Sequence, residues 1–176
     1  LGDAGRAEVR RRLRSWLLAP VGGELTVPGD PEVTYRDAVC TGCGEWSSLF
    51  EDGSCEVEFT CFDPIGYGRL VETGETPVAV GGTWRTWPVV RLAASAGGFV
   101  EVIDAEGGRS VRVERGFCAG DAVELDFLAE TARVNGEDAS ADVTLASDFF
   151  ALEPGVRALH FSGCSSHVVS FYERWA

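Results

Sequence analysis

The chain has no lysine, so all 15 of its basic side chains are arginines. That absence excludes a P-loop lysine, a Schiff-base lysine and a lysine general base together. Histidine is almost as scarce, with His160 and His167 alone. No Gly-x-Ser-x-Gly elbow is present, and no glycine-rich phosphate loop follows a strand pattern. Asp121 and Asp126 are the kind of carboxylate pair that suggests a glycosidase, yet an odd number of strand positions separates them, so they point to opposite faces. No enzyme and no cofactor are expected. No apolar run approaches the roughly 20 residues a membrane helix needs, and Leu1 to Pro20 is too rich in Arg for a signal peptide. Neither export nor membrane insertion is expected. Positive charge is short overall: the net charge of −13 repels phosphate backbones, so no nucleic-acid partner is expected.

What is present describes a globular protein. Of 176 residues, 45% are hydrophobic and 24% charged, enough to build a core. The 22 Gly and 7 Pro are dispersed, which suits many short strands joined by tight turns and favours an all-β class. The charge is uneven. Leu1 to Pro20 holds five Arg against Asp3 and Glu8, a balance of +3 that leaves −16 for the rest. The basic segment reads as a solvated helix face, with head-to-tail packing onto an acidic body or partner as the functional alternative.

The spacing predicts one helix from about Ala4 to Ala19, capped by Asp3, with Val9, Leu13, Trp16 and Leu17 in one apolar stripe that reads as ordinary packing. Pro20 and Gly22-Gly23 end it. A strand near Glu24–Val27 and the turn Pro28-Gly29-Asp30-Pro31 precede alternation through Val33, Tyr35 and Val39. Val57, Phe59 and Cys61 mark another half-buried strand. Asp63 to Thr76, with Pro64, Gly66, Gly68 and Gly74, reads as a crossing segment between two units, 1–68 and 69–176. Beyond it, Val100 and Val102 pair with Val111 and Val113 around a turn at Asp104–Gly108. Val123, Leu125 and Phe127 point inward, and Ala132 and Val134 continue toward the turn Asn135-Gly136. A closing pair is expected from Val156–Phe161 and Ser166–Trp175. Strands at this spacing with no helix between them predict an antiparallel β-sandwich or jelly roll.

Three constellations carry candidate chemistry. Cys40-Thr41-Gly42-Cys43 has zinc-hook or redox spacing, and Cys55 and Cys61 complete a four-thiol set; zinc, a disulfide and free thiols are the alternatives. His160 and His167 fall directly opposite each other if Ser162–Ser165 is a four-residue turn, and then form either a metal pair or two exposed imidazoles. Trp84 and Trp87 offer aromatic faces for stacking on sugars, which would make the sandwich a carbohydrate-binding module for host-surface glycans; three apart, they face opposite sides and one is core.

Five pieces occur in a telling order. They are Cys61-Phe62-Asp63-Pro64-Ile65-Gly66-Tyr67-Gly68; Thr86-Trp87-Pro88-Val89-Val90; Gly120-Asp121-Ala122-Val123-Glu124-Leu125-Asp126 with Ala132-Arg133-Val134-Asn135-Gly136; Ser147-Asp148-Phe149-Phe150 through Pro154-Gly155; and Ser170-Phe171-Tyr172-Glu173-Arg174-Trp175. Over more than half of the chain this order resembles the distal tail protein family of long-tailed bacteriophages and prophages. The resemblance implies a galectin-like C-terminal sandwich behind an N-terminal α+β domain that builds a hexameric ring. It also implies partners, a tail tube protein above and a tail-associated lysozyme or tail-spike assembly below, and a place in the virion tail after synthesis in bacterial cytoplasm. Gly2 to Tyr67 would match the later part of the ring-forming domain, whose opening strands are not in this sequence. Assembly in a reducing cytosol implies reduced thiols.

Overall fold

The structure, a computed structural model, describes residues 3–17, 22–44, 51 and 54–176. It divides into two compact units, one ending at Tyr67 and the other running Gly68–Ala176.

The first unit begins with α1 (Asp3–Leu17), followed by β1 (Gly23–Val27), β2 (Asp30–Cys43) and β3 (Val57–Cys61). The last expected helical turn, its Pro20 stop and the Asp3 side chain lie outside the described residues. The apolar stripe departs from expectation: Val9, Leu13 and Leu17 are only half-buried and Trp16 is 74% exposed. The strands β1 and β2 form an antiparallel hairpin closed at Val27 and Asp30. Within β2 the predicted alternation breaks at Asp37, whose φ is 53°. Gly23 faces Ala38 while Leu25 faces Tyr35, so β2 carries an extra residue there. Val33 and Ala38 are therefore the buried positions, and Val39 is not.

The expected crossing segment from Asp63 to Thr76 carries a strand, β4 (Gly66–Thr73), and the division between the two units falls within it, after Tyr67. Its glycines do not loosen it. A side chain at Gly68 would run into the Trp175 ring, so glycine lets the tryptophan lie across the strand.

The second unit continues through β5 (Val78–Val80), β6 (Val89–Ala94), β7 (Gly97–Asp104), β8 (Arg109–Phe117), β9 (Ala122–Asp126), β10 (Thr131–Val134), β11 (Glu137–Asp138), β12 (Gly155–Arg157), β13 (Leu159–Ser162) and β14 (Cys164–Trp175). One sheet holds β4-β14-β6-β9-β10-β11, a second holds β13-β7-β8, and β12 pairs β5. All of these ladders whose register is defined are antiparallel. Because side chains alternate, the in-register sets Val90–Leu125 and Leu92–Val123 point inward from one sheet, and Val100–Val113 and Val102–Val111 from the other. Together with Leu159, Val169 and Phe127 they form one core, and each such side chain contributes roughly 1.5–3 kcal/mol by leaving water. The unit is a β-sandwich.

The closing pair is not a hairpin. β13 pairs with β7, His160 facing Ile103, while β14 pairs with β6, His167 facing Leu92. The chain switches sheets at Gly163, with φ 74°, where a Cβ would collide with the Phe99 carbonyl oxygen. Leu159 and Val169 thus reach the same core from opposite layers. His160 and His167 are not cross-strand neighbours.

Candidate functional site

The motif residues are held by local hydrogen bonding, and their roles follow from it. In the first unit the Asp63 carboxylate accepts from the Ile65 N–H at 3.1 Å and the Tyr67 hydroxyl at 2.6 Å. The Arg36 guanidinium lies 3.9 Å above the Tyr67 ring. The Asp-Pro-x-x-Tyr segment is thereby a fixed turn. In the second unit Thr86 exchanges two backbone hydrogen bonds with Leu152, at 2.9 and 2.7 Å, which anchors the aromatic-Pro piece against the segment ending in Pro154-Gly155.

The Gly120-Asp121 and Asn135-Gly136 pieces meet. Asn135 accepts from the Ala122 N–H at 2.9 Å and donates to Asp121 at 3.0 Å. Asp121 also accepts from the Cys118 N–H at 2.8 Å. The Asn135 side-chain bond, followed by the Cys118 N–H, holds the Asp121 carboxyl below its ordinary pKa. Asp126 bonds the Leu128 and Ala129 N–H groups at 3.0 and 2.9 Å. Both carboxylates fix turns, and they do not face each other. Asn135 itself has φ 52°. N135A is expected to destabilise the second unit more than N135G, by the about 1–2 kcal/mol that a left-handed backbone costs an ordinary residue. Thermal unfolding of the two variants checks this.

Ser147 bonds both the N–H and the carbonyl of Arg112, at 2.9 and 3.2 Å. That contact lays the following Phe149-Phe150 pair against Phe127, with ring centroids 5.4 and 4.8 Å apart and both edge-on.

One group escaped the sequence reading. Asp104 is 6% exposed and takes Arg109 at 3.1 Å and the Glu106 N–H at 3.2 Å. Burial opposes its charge, but bonds from Gly107, Arg109 and Glu106 outweigh it and hold the carboxyl below its ordinary pKa. Opposite charges flanking the Ala105–Gly108 turn were the available signal. A depressed folded value means the stabilisation is complete above the ordinary carboxylate range and is lost as pH falls through the folded pKa. D104N is expected to be less stable at neutral pH and to show a flatter acid-side decline, measured by denaturation midpoints between pH 7 and 3.

Among the described residues no group of three His, Cys, Asp or Glu side chains is arranged to hold a metal. Cys40 and Cys43 are brought together, sulfurs 3.7 Å apart. Burial first, then the Cys40 thiol beside it, pushes the Cys43 thiol pKa up. Cys61 lies farther along β3, opposite Ala38. His167 stacks on Phe161 at 3.9 Å, while His160 is exposed. Trp84 is 40% exposed, whereas Trp87 packs against the core. The Arg85 guanidinium lies 5.9 Å from one ring and 5.4 Å from the other. The two tryptophans therefore do not share one exposed face.

Comparison with known proteins connects this arrangement to a family. The family described as siphovirus-type tail component, C-terminal domain, matches residues 81–175. The distal tail protein of Bacillus phage SPP1 is 27% identical over 168 residues, covering 88% of this chain and 65% of that protein. The crystal structure of SPP1 Dit (gp 19.1), described as a paradigm of hub adsorption apparatus in phages infecting Gram-positive bacteria, superposes with a TM-score of 0.79. That superposition has 25% sequence identity and covers 100% of this chain and 75% of that one. The chain thus spans just under two thirds of the curated relative's length, and through residues 81–175 it belongs to the siphovirus-type tail component family.

Proposed function

We propose that the protein is a structural component of the tail tip of a phage or prophage, a hub that joins the tail tube to tail-tip proteins by self-association and docking. No chemical step is assigned to it. The observation that carries this reading is the match to SPP1 Dit across the whole chain. The structural use of the motif residues supports it, because Asp63, Asp121, Asp126 and Asn135 all fix turns. In this reading the first unit is the later part of a ring-forming domain, and the second is the sandwich projecting from it. The partners are further copies of the chain, a tail tube protein and a tail-tip protein, and the location is the virion tail. Gold-labelled antibody against the purified protein is expected to mark the tail end distal to the capsid in electron micrographs. Label distributed along the tube, or confined to the capsid, contradicts the assignment.

A further inference from the structure

The first unit holds a charge imbalance that one copy does not resolve. Residues 1–20 carry +3, whereas residues 21–67 carry Arg36 against ten Asp and Glu, a balance of −9. Two patches express it. On α1, Arg12 and Trp16 stand one turn apart and share a face, with Arg12 exposed and Trp16 74% exposed. On β3, the Thr60 hydroxyl lies 3.2 Å from that of Thr41, which fixes the side of the β2–β3 ladder on which Thr60 sits. Glu58 and Glu56 alternate onto the same side, and both are exposed. A Cβ at Gly42 would meet the Glu58 carboxylate, so that carboxylate lies over the ladder. Just past the strand, Phe62 is 73% exposed.

Both patches are unpartnered. Arg11 pairs with Glu8 at 3.5 Å, but among the described residues Arg12, Glu56 and Glu58 have no ion-pair partner. Among the described residues β3 also pairs with β2 alone, so its outer edge is reachable. Arg and Trp are the residue types that most often carry binding energy in protein interfaces. An acidic strand beside an exposed aromatic is their chemical complement.

We propose that the Arg12–Trp16 face of α1 docks on the Glu56–Glu58 face of β3 in a second copy of the chain, with Arg12 pairing with the carboxylates and Trp16 packing toward Phe62. The inference rests on the self-association proposed above and names the surfaces that make it. The two patches differ, so the contact is head to tail. Each copy gives its helix to one neighbour and its strand to the other, which builds a ring when the rotation closes.

Sedimentation velocity on the full chain across a concentration series is expected to show reversible association that weakens as salt rises. R12E and E58R are each expected to weaken it about tenfold, because like charges then meet, and W16A is expected to weaken it too. The double variant R12E/E58R restores opposite charges across the contact and is expected to regain most of the loss, which misfolding of the single variants cannot produce. R12E or E58R associating as the parent does, or a double variant weaker than both singles, overturns the docking and leaves the tail assignment to the gold-labelling result. A parent chain that stays a single copy throughout overturns the docking as well and gives the two patches to other proteins.

Discussion

Alanine at Phe127 is expected to lower the unfolding free energy of the second unit by about 3–5 kcal/mol. The side chain is 1% exposed, and its ring meets both Phe149 and Phe150 edge-on. Truncation removes apolar burial, opens a cavity among residues already fixed by β-ladders, and leaves two aromatic partners without their edge contacts. Whole domains are stable by only about 5–15 kcal/mol, so the variant sits near the limit of folding. F127L keeps most of the volume and is expected to lose less than F127A. Urea unfolding followed by tryptophan fluorescence measures both, with a shifted midpoint and an unchanged slope. A loss below about 1 kcal/mol for F127A contradicts the placement of Phe127 at the centre of the core.

The second large effect is expected at the sheet switch. Gly163 has φ 74°, which costs an L-residue about 1–2 kcal/mol, and its Cβ position is taken by the Phe99 carbonyl oxygen. A backbone oxygen cannot rotate aside as a side chain does, so overpacking adds about 1–3 kcal/mol. G163A is therefore expected to lose about 3 kcal/mol or more. Asparagine tolerates left-handed backbone but still carries the Cβ, so G163N is expected to recover little of that loss. Recovery by asparagine to near the parent midpoint shows that conformation alone matters and sinks the close-approach account.

The sequence revealed the sandwich where pairing is local. The ladders from Val100 to Val113 and from Val123 to Val134 join neighbours along the chain, so alternation and a turn signal were enough to place them. It failed where pairing is long-range. Alternation in 156–161 and 166–175 shows which residues face the core but says nothing about which sheet receives them, and the two segments join different ones. The glycines around β4 read as loop because a pattern cannot show that Trp175 lies over Gly68. Bulges were the other blind spot. Asp37 shifts the buried position from Val39 to Ala38, and the bulge after Cys40 brings the Cys40 and Cys43 sulfurs to 3.7 Å. The tail motifs were visible as a resemblance, and the structure supplies their physical content. Asn135 bonds Asp121 and the Ala122 N–H, a contact between residues 14 positions apart that no local rule anticipates.

The central claim is self-association into a tail hub, and the oligomeric mass tests it most directly. Because this chain covers 65% of the SPP1 protein's length, the measurement uses a longer form that also carries the portion of the relative this chain does not span. Multi-angle light scattering on that form at micromolar concentration is expected to give the mass of a six-chain ring. A mass of one chain that stays constant as concentration rises contradicts the account.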